Sequence, residues 1–325
     1  MYHLKCLKKK KAVSVLGIDI NNQSLSFILL SFIQYRHCVE YYHRVELPTG
    51  LVNGDVINNV DELSKIIKTS VSSQLMSFNK QIVIAIPYSS TVIKKIQVSN
   101  RLRRRDIAEF VMMDVERYIS FTRDEMIMDF NVLGSSILLP DMLDILVVVS
   151  RREIVEQRVQ LVHQLGLTPH VVDVESFAIE RAMRLVASSF LYETVAVFNV
   201  DLNGTQSFFL HQSAMVFAHE EIIDTSKPAV SKQFFELLLQ QFKRALQFFL
   251  STMPMGRIDC VFLVGLGSSM PGLDRFFYER LGIMISIPLF FKEMKFASPF
   301  IQEQIKKDNS SLMVACGLAL RNTGF

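Results

Sequence analysis

Tryptophan is absent from this chain, and its four cysteines (Cys6, Cys38, Cys260 and Cys316) fall at no CxxC or Cys/His ligand spacing. That excludes a zinc ribbon and a disulfide scaffold and reads as the reduced thiols of a cytosolic protein. No apolar run reaches the roughly 18–20 residues that span a bilayer. The net charge of +3 is too small to make nucleic acid a general partner. The seven histidines show no HExxH or paired metal spacing, and there is no Walker lysine loop, GxSxG elbow or Cys/His signature. Zincin, P-loop and α/β-hydrolase chemistries are thereby excluded. Asp19 and Asp201 are the general-base candidates, but no further residue supports them in that role and no catalytic residue is assigned.

Half of the 325 residues are apolar and 25 are phenylalanine, which excludes disorder. The length fits two domains or one bilobed unit with ample core. Lys5 and Lys8–Lys11, followed by AVSVLGI, imitate a signal peptide. Asp19 interrupts the apolar region and no small-residue cleavage site follows, so the chain is expected in the cytosol with a solvated lysine tail.

Residues 15–30, VLGIDINNQSLSFILL, organise the rest. Val13–Ile20 reads as a buried strand and Ser24–Phe32 as its hairpin partner, with Asn21 and Asn22 in the turn. A near-copy recurs at 195–210, VAVFNVDLNGTQSFFL, where Asp201 ends a strand and Asn203-Gly204 supplies the turn. Taken singly, each is most simply an Asp at a strand end. The repetition points to two similar halves facing each other across a cleft, where turn amides cradle phosphate and carboxylates hold magnesium through water. A third segment adds to this. The buried strand Ile258–Val264 runs into Gly265-Leu-Gly267-Ser268, which lets backbone approach a ligand and offers free amides.

Between these segments the pattern alternates strand and helix. Strands are expected at Tyr41–Leu47, Lys80–Pro87 and Pro169–Val174, with helices at Asn59–Ser77, Glu175–Ser188 and Ser231–Leu250. Ser150-Arg-Arg-Glu153 reads as a capping box opening another helix, and a last helix is expected over Ser310–Leu320. Such alternation marks a mostly parallel, helix-covered α/β sheet. Residues 88–150 read as a small inserted β-α-β-β block, its helix over Asp106–Ile119.

The two Asp hairpins and the GLG segment resemble the phosphate and adenosine motifs of the actin-like ATPase superfamily. Within it the chain resembles the PilM family, FtsA-like proteins of type IV pilus assembly. The resemblance is carried by LPTGLVNGDVIN, IVIAIPYSSTVIKKIQV, MDVERYISFTRDEMIMDFNVLG, VVDVESFAIERA and ACGLALRN, and runs from about residue 13 to the C-terminus. It implies a bilobed FtsA-type fold: subdomain 1A over 1–87 with 151–189 and 308–325, an inserted 1C over 88–150, and a second lobe over 190–307 in which 220–230 is a remnant of 2B. ATP with Mg²⁺ is the cofactor pair implied, near Asp19, Asn21, Asn22, Asp201, Asn203, Gly204, Gly265, Gly267 and Ser268, with Asp19 and Asp201 on the metal through water. Asn21 and Asn203 stand where the family has Gly, and the 2B helix is missing, so nucleotide binding is expected to be weak or lost.

The partner implied is a PilN-like inner-membrane protein whose cytoplasmic N-terminal peptide docks between 1A and 1C. By position that groove falls near Arg117, Tyr118, Ile119, Phe121 and Phe130, residues that equally suit the block's own core. The reading is a cytoplasmic scaffold at the inner face of the inner membrane. The alternatives are an active actin-like ATPase and an L-type component of type II secretion. A membrane span after the domain would favour the last, and the sequence ends at Phe325 without one. Self-association is left open.

Overall fold

The computed structural model describes residues 14–33, 36–71, 75, 80–136, 139–187, 192–201, 204–222, 232–253 and 257–321. Lys5, Cys6, Lys8–Lys11, Asn203 and residues 223–230 of the expected 2B remnant lie outside the described residues.

The first lobe opens with β1 (Ser14–Ile20), β2 (Ser24–Ile33) and β3 (Arg36–Glu46). A very short hairpin of β4 (Val52–Asn53) and β5 (Val56–Ile57) precedes α1 (Val60–Ser70) and β6 (Lys80–Ile86). An inserted block follows: β7 (Thr91–Ser99), α2 (Arg104–Val115), β8 (Met126–Ser135) and β9 (Met142–Arg151). The chain returns through α3 (Arg152–Gln164), β10 (Val171–Val174) and α4 (Glu175–Ala187). The second lobe holds β11 (Thr194–Asp201), β12 (Gly204–His211), β13 (Ala214–Ile222), α5 (Lys232–Thr252), β14 (Cys260–Val264), α6 (Leu273–Leu281) and β15 (Met284–Ser286). Then β16 (Lys295–Phe296), α7 (Pro299–Asp308) and α8 (Met313–Ala319) lead back to the first sheet.

The five strands of the second sheet repeat the order of five of the six in the first, β16 being the addition. The first sheet runs β10-β6-β1-β2-β3-β16 and the second β15-β14-β11-β12-β13. In each, the strand ending in Asp lies parallel to a later strand and antiparallel to its hairpin partner. Both sheets are mixed: the later strands of each half join in parallel, while short turns link the first three strands as an antiparallel meander. β1 is buried on both faces, which is why it reads as an unbroken apolar run.

Other local expectations shift for physical reasons. Arg151 caps α3 without a side-chain bond, while the Ser150 hydroxyl donates to the Ser90 carbonyl at 3.0 Å. Ser150 thus ties together the two crossings into the block, and the capping box forms instead at Thr122 and Glu125. The short helix α8 starts at Met313, after a tight turn at Asn309–Ser311. No expectation covered α7, although Ser298 accepts from the Ile301 amide and Pro299 begins the helix, the usual pair of start signals.

One core joins the lobes. Val15, Ile28 and Val83 of the first sheet and Val197, Phe208 and Phe262 of the second pack in the same cluster as α4 and α8. On the outer faces, α1 and α3 cover the first sheet, and α5 and α6 cover the second with a phenylalanine-rich core. In the block, α2 covers one face of the three-stranded sheet β7-β9-β8. The opposite face, through Ile93, Ile127 and Val148, meets Ile86, Ile154, Val155 and Val174 of the first lobe.

Candidate functional site

Asp19 and Asp201 end equivalent strands, and the topology brings both to a single cavity of about 690 Å³ between the lobes. Asn21, Asn22, Gly204 and Gly265 line it too, as do Arg44, Asp55, Glu175 and Glu220. Gly267 and Ser268 do not line it: both are buried beneath, and the Ser268 hydroxyl donates to the Gly265 carbonyl at 2.8 Å. Gly265 has φ +82°, and a side chain there would stand 2.6 Å from the Val200 carbonyl oxygen, so the turn after β14 requires glycine.

The first turn is closed on itself. The Asn21 side-chain oxygen accepts from the Gln23 amide at 3.0 Å and the Ser24 amide at 2.9 Å. These are amides that a phosphate-cradling turn presents to its ligand. In the second half, Asn199 donates from its side chain to Asp201 at 2.9 Å, and the Leu266 amide also bonds that carboxylate.

Burial governs the charges. Asp19 is pushed up to about 7, first by burial and then by the charge of Asp201, against the pull of Asn21, Arg158 and Arg44. Glu175 is also pushed up to about 7 by burial, although its carboxylate accepts the Tyr88 amide at 3.0 Å. Asp201 is raised by burial, with Asn199, the Leu266 amide and Arg44 opposing. Behind the wall lies Arg158, fully buried, donating to the Asp55 carbonyl at 2.7 Å. Its Nε and Nη2 have no hydrogen-bond partner, and burial lowers it to about 10.

The ATP–magnesium pair implied by the resemblance does not fit these residues. Asn21 fills the turn amides, and Asp201 is engaged internally by the Asn199 side chain. Asn21, which stands where the family has Gly, thus satisfies the turn from within.

Sequence reasoning missed Glu175, Arg44, Asp55 and Glu220. Glu175 had a signal, an acid directly after the buried strand of VVDVESFAIERA, in register with the other cleft strands. Arg44 had none, since it reads as one polar position of an alternating strand.

The five residues expected at a partner groove lie away from this cavity. Tyr118, Ile119, Phe121 and Phe130 pack against the block's core under α2. The Lys94 Nζ sits 3.8 Å over the Tyr118 ring, and Arg117 is exposed with a 3.6 Å ion pair to Asp114.

A family model described as type IV pilus assembly protein PilM matches residues 17–226 and 224–323. A solved structure described as a PilM–PilN type IV pilus biogenesis complex superimposes with TM-score 0.75 at 20% identity, over 96% of this chain and 99% of that one. The ethanolamine utilization protein EutJ from Carboxydothermus hydrogenoformans gives TM-score 0.51 at 11% identity, over 94% and 89%. A protein from Bacteroides thetaiotaomicron, described as having an actin-like ATPase fold and unknown function, gives 0.49 at 13% identity, over 86% and 92%.

Proposed function

This chain belongs to the PilM family of type IV pilus assembly proteins, with the bilobed actin-like fold, and from that premise we propose that it is a scaffold whose first lobe and inserted block dock a membrane partner's peptide. The observation that carries this reading is the family match, which runs through both lobes and the inserted block. The partner is a PilN-like inner-membrane protein, and its N-terminal cytoplasmic segment holds the scaffold at the inner face of the membrane. In keeping with that, no helix among the described residues is long and apolar enough to cross a membrane.

The segment docks where the block meets the first lobe, on the sheet face turned away from α2. Lys95, Leu146 and Asn131 lie in one row across β7, β9 and β8 on that face. Leu146 is half-buried and offers the apolar contact; Lys95, paired with Asp144 at 2.8 Å, offers polar recognition beside it. Titration of a labelled N-terminal partner peptide is expected to give saturable binding. Leu146→Glu should weaken it about tenfold or more, the cost of placing a charge in a desolvated contact. Arg117→Ala, on the far side of the block, should leave it unchanged. The reverse pattern moves the groove to the α2 side, and absence of binding removes the scaffold reading.

An ATPase reading draws on the convergence of Asp19, Asp201 and Glu175 on one cavity. It requires a magnesium-dependent thermal shift with millimolar ATP that Asp19→Ala abolishes. With Asn21 closing the turn, no shift is expected, and peptide affinity should be the same with and without Mg-ATP.

A further inference from the structure

The inserted block hangs from the first lobe by two crossings, residues 87–90 on the way out and Arg151 and Arg152 on the way back. The outgoing crossing is also a wall of the cleft, since Pro87 and Ser89 line the cavity together with Asp55 and Glu175. The Tyr88 amide donates to the carboxylate of Glu175, the first residue of α4, at 3.0 Å. The Ser89 hydroxyl donates at 2.6 Å to the carboxylate of Asp55, in the turn of the β4–β5 hairpin. That hairpin is itself anchored on α3: Arg158 donates to the Asp55 carbonyl at 2.7 Å and the Ile57 amide to the Gln157 side chain at 3.0 Å. The Tyr88 ring meets Phe208 of the second lobe edge-on, with centroids 6.5 Å apart. The Ser150 hydroxyl, bonded to the Ser90 carbonyl, passes the constraint to the returning crossing. There Arg152 donates to the Asp124 and Met126 carbonyls of the block at 2.9 and 3.0 Å.

The junction core of Ile86, Ile154, Val155 and Val174 attracts the block but sets no direction, whereas hydrogen bonds do. Direction matters because the row of Lys95, Leu146 and Asn131 stands off from the hinge. From Ser90 to Lys95 the chain rises about 17 Å. A tilt of about 10° at the hinge would carry the row about 3 Å, well beyond the roughly 0.5 Å within which a binding contact must be held.

We propose that Asp55 and Glu175 are positioning residues for partner docking: these two cleft acids hold the outgoing hinge, and through it set the angle at which the block presents its face to the peptide. The acidic cavity that the metal–nucleotide pair does not fit thereby serves the groove on the other side of the hinge. This rests on the docking reading, and on accepting oxygens more than on charge, so an amide should serve where a carboxylate stands.

Titration of the full chain with the labelled N-terminal partner peptide, well below melting, tests it. Glu175→Ala should weaken binding about tenfold, and Asp55→Ala and Ser89→Ala about threefold each. The Asp55→Ala/Ser89→Ala double variant should be no weaker than either single one, since both remove the same bond. Glu175→Gln, Asp55→Asn and Ser89→Thr keep the accepting oxygen or the hydroxyl and should bind within about twofold of wild type. Lower melting temperatures with unchanged peptide affinity overturn the proposal and leave these residues as supports of the fold alone. So does a Glu175→Gln variant as weak as Glu175→Ala, which would assign the effect to charge. Hydrogen exchange of the full chain without peptide gives a second reading. Glu175→Ala should speed exchange about tenfold over 87–91 and also over 151–153, where no bond has been removed, and leave the middle of β9 unchanged. If the wild type does not bind the peptide, the docking reading falls and exchange alone judges the hinge: spread to both crossings upholds it, and confinement to the Tyr88 amide overturns it.

Discussion

Gly317→Val is expected to lower the melting temperature by about 10 °C or to leave the chain insoluble, because the substitution strikes where the lobes share one helix. α8 lies against the first sheet on one side and α4 on the other. At the crossing with α4, a side chain on Gly317 would run into the Ala178 carbonyl. Backbone cannot yield there as the tip of a flexible side chain could. The Gly317 carbonyl also accepts from Arg181 Nε at 2.8 Å, and Arg181 is ion-paired with buried Asp173, which Arg321 approaches at 2.7 Å. Separating the helices to admit a valine would therefore loosen a buried ion cluster as well as the core. A cost of more than about 4 kcal/mol follows, at or beyond the upper end for overpacking, since both neighbours are fixed. Circular dichroism melts and soluble yield read it, with Gly317→Ala expected between wild type and valine. A valine variant melting within about 2 °C of wild type would mean the crossing opens freely.

What could be read from the residues depended on how far each signal was local. The hairpins were legible because an acid followed by a polar turn between apolar runs is a local pattern, and its recurrence at Asp201 led to the duplicated sheets. The pairing beyond the hairpins was hidden, since apolar runs look alike in parallel and antiparallel strands. Arg44 could not be placed, because its site depends on the Ser26 register and on Asp308, 264 residues away in the chain. Glu175 belongs to the cleft only because β10 pairs with β6 and β6 with β1. Tyr118, Ile119, Phe121 and Phe130 read as suiting either a partner groove or the block's core, and they pack, partly buried, on the helix-side face of its three-stranded sheet. Asn21 was noticed as a departure, but its effect depends on side-chain direction: turned inward, its oxygen caps the turn.

Asp19→Asn is expected to stabilise the protein at about pH 8, a sign opposite to that of a residue serving a bound metal–nucleotide pair. Asp19 is 9% exposed, and burial followed by the charge of Asp201 lifts it from 3.8 to about 7. A raised carboxylate means the folded chain keeps a proton that the unfolded chain has released. Stability from this group is therefore full below the unfolded value, falls as pH climbs towards 7, and is level above it. The charge at about pH 8 costs on the order of 2–4 kcal/mol, which the isosteric amide removes. Glu175, raised to about 7 by burial and further by Asp19, titrates in the same window, so Glu175→Gln should act in the same direction and less than additively with Asp19→Asn. Melting curves in EDTA should separate the variant from wild type by several degrees at about pH 8, with the gap narrowing as pH falls and closing only below the unfolded value of 3.8, where the carboxyl is protonated in both states. An Asp19→Asn protein less stable than wild type at the higher pH would mean that the ionised carboxylate is wanted in the folded cleft, as the partner of a bound ligand or cation.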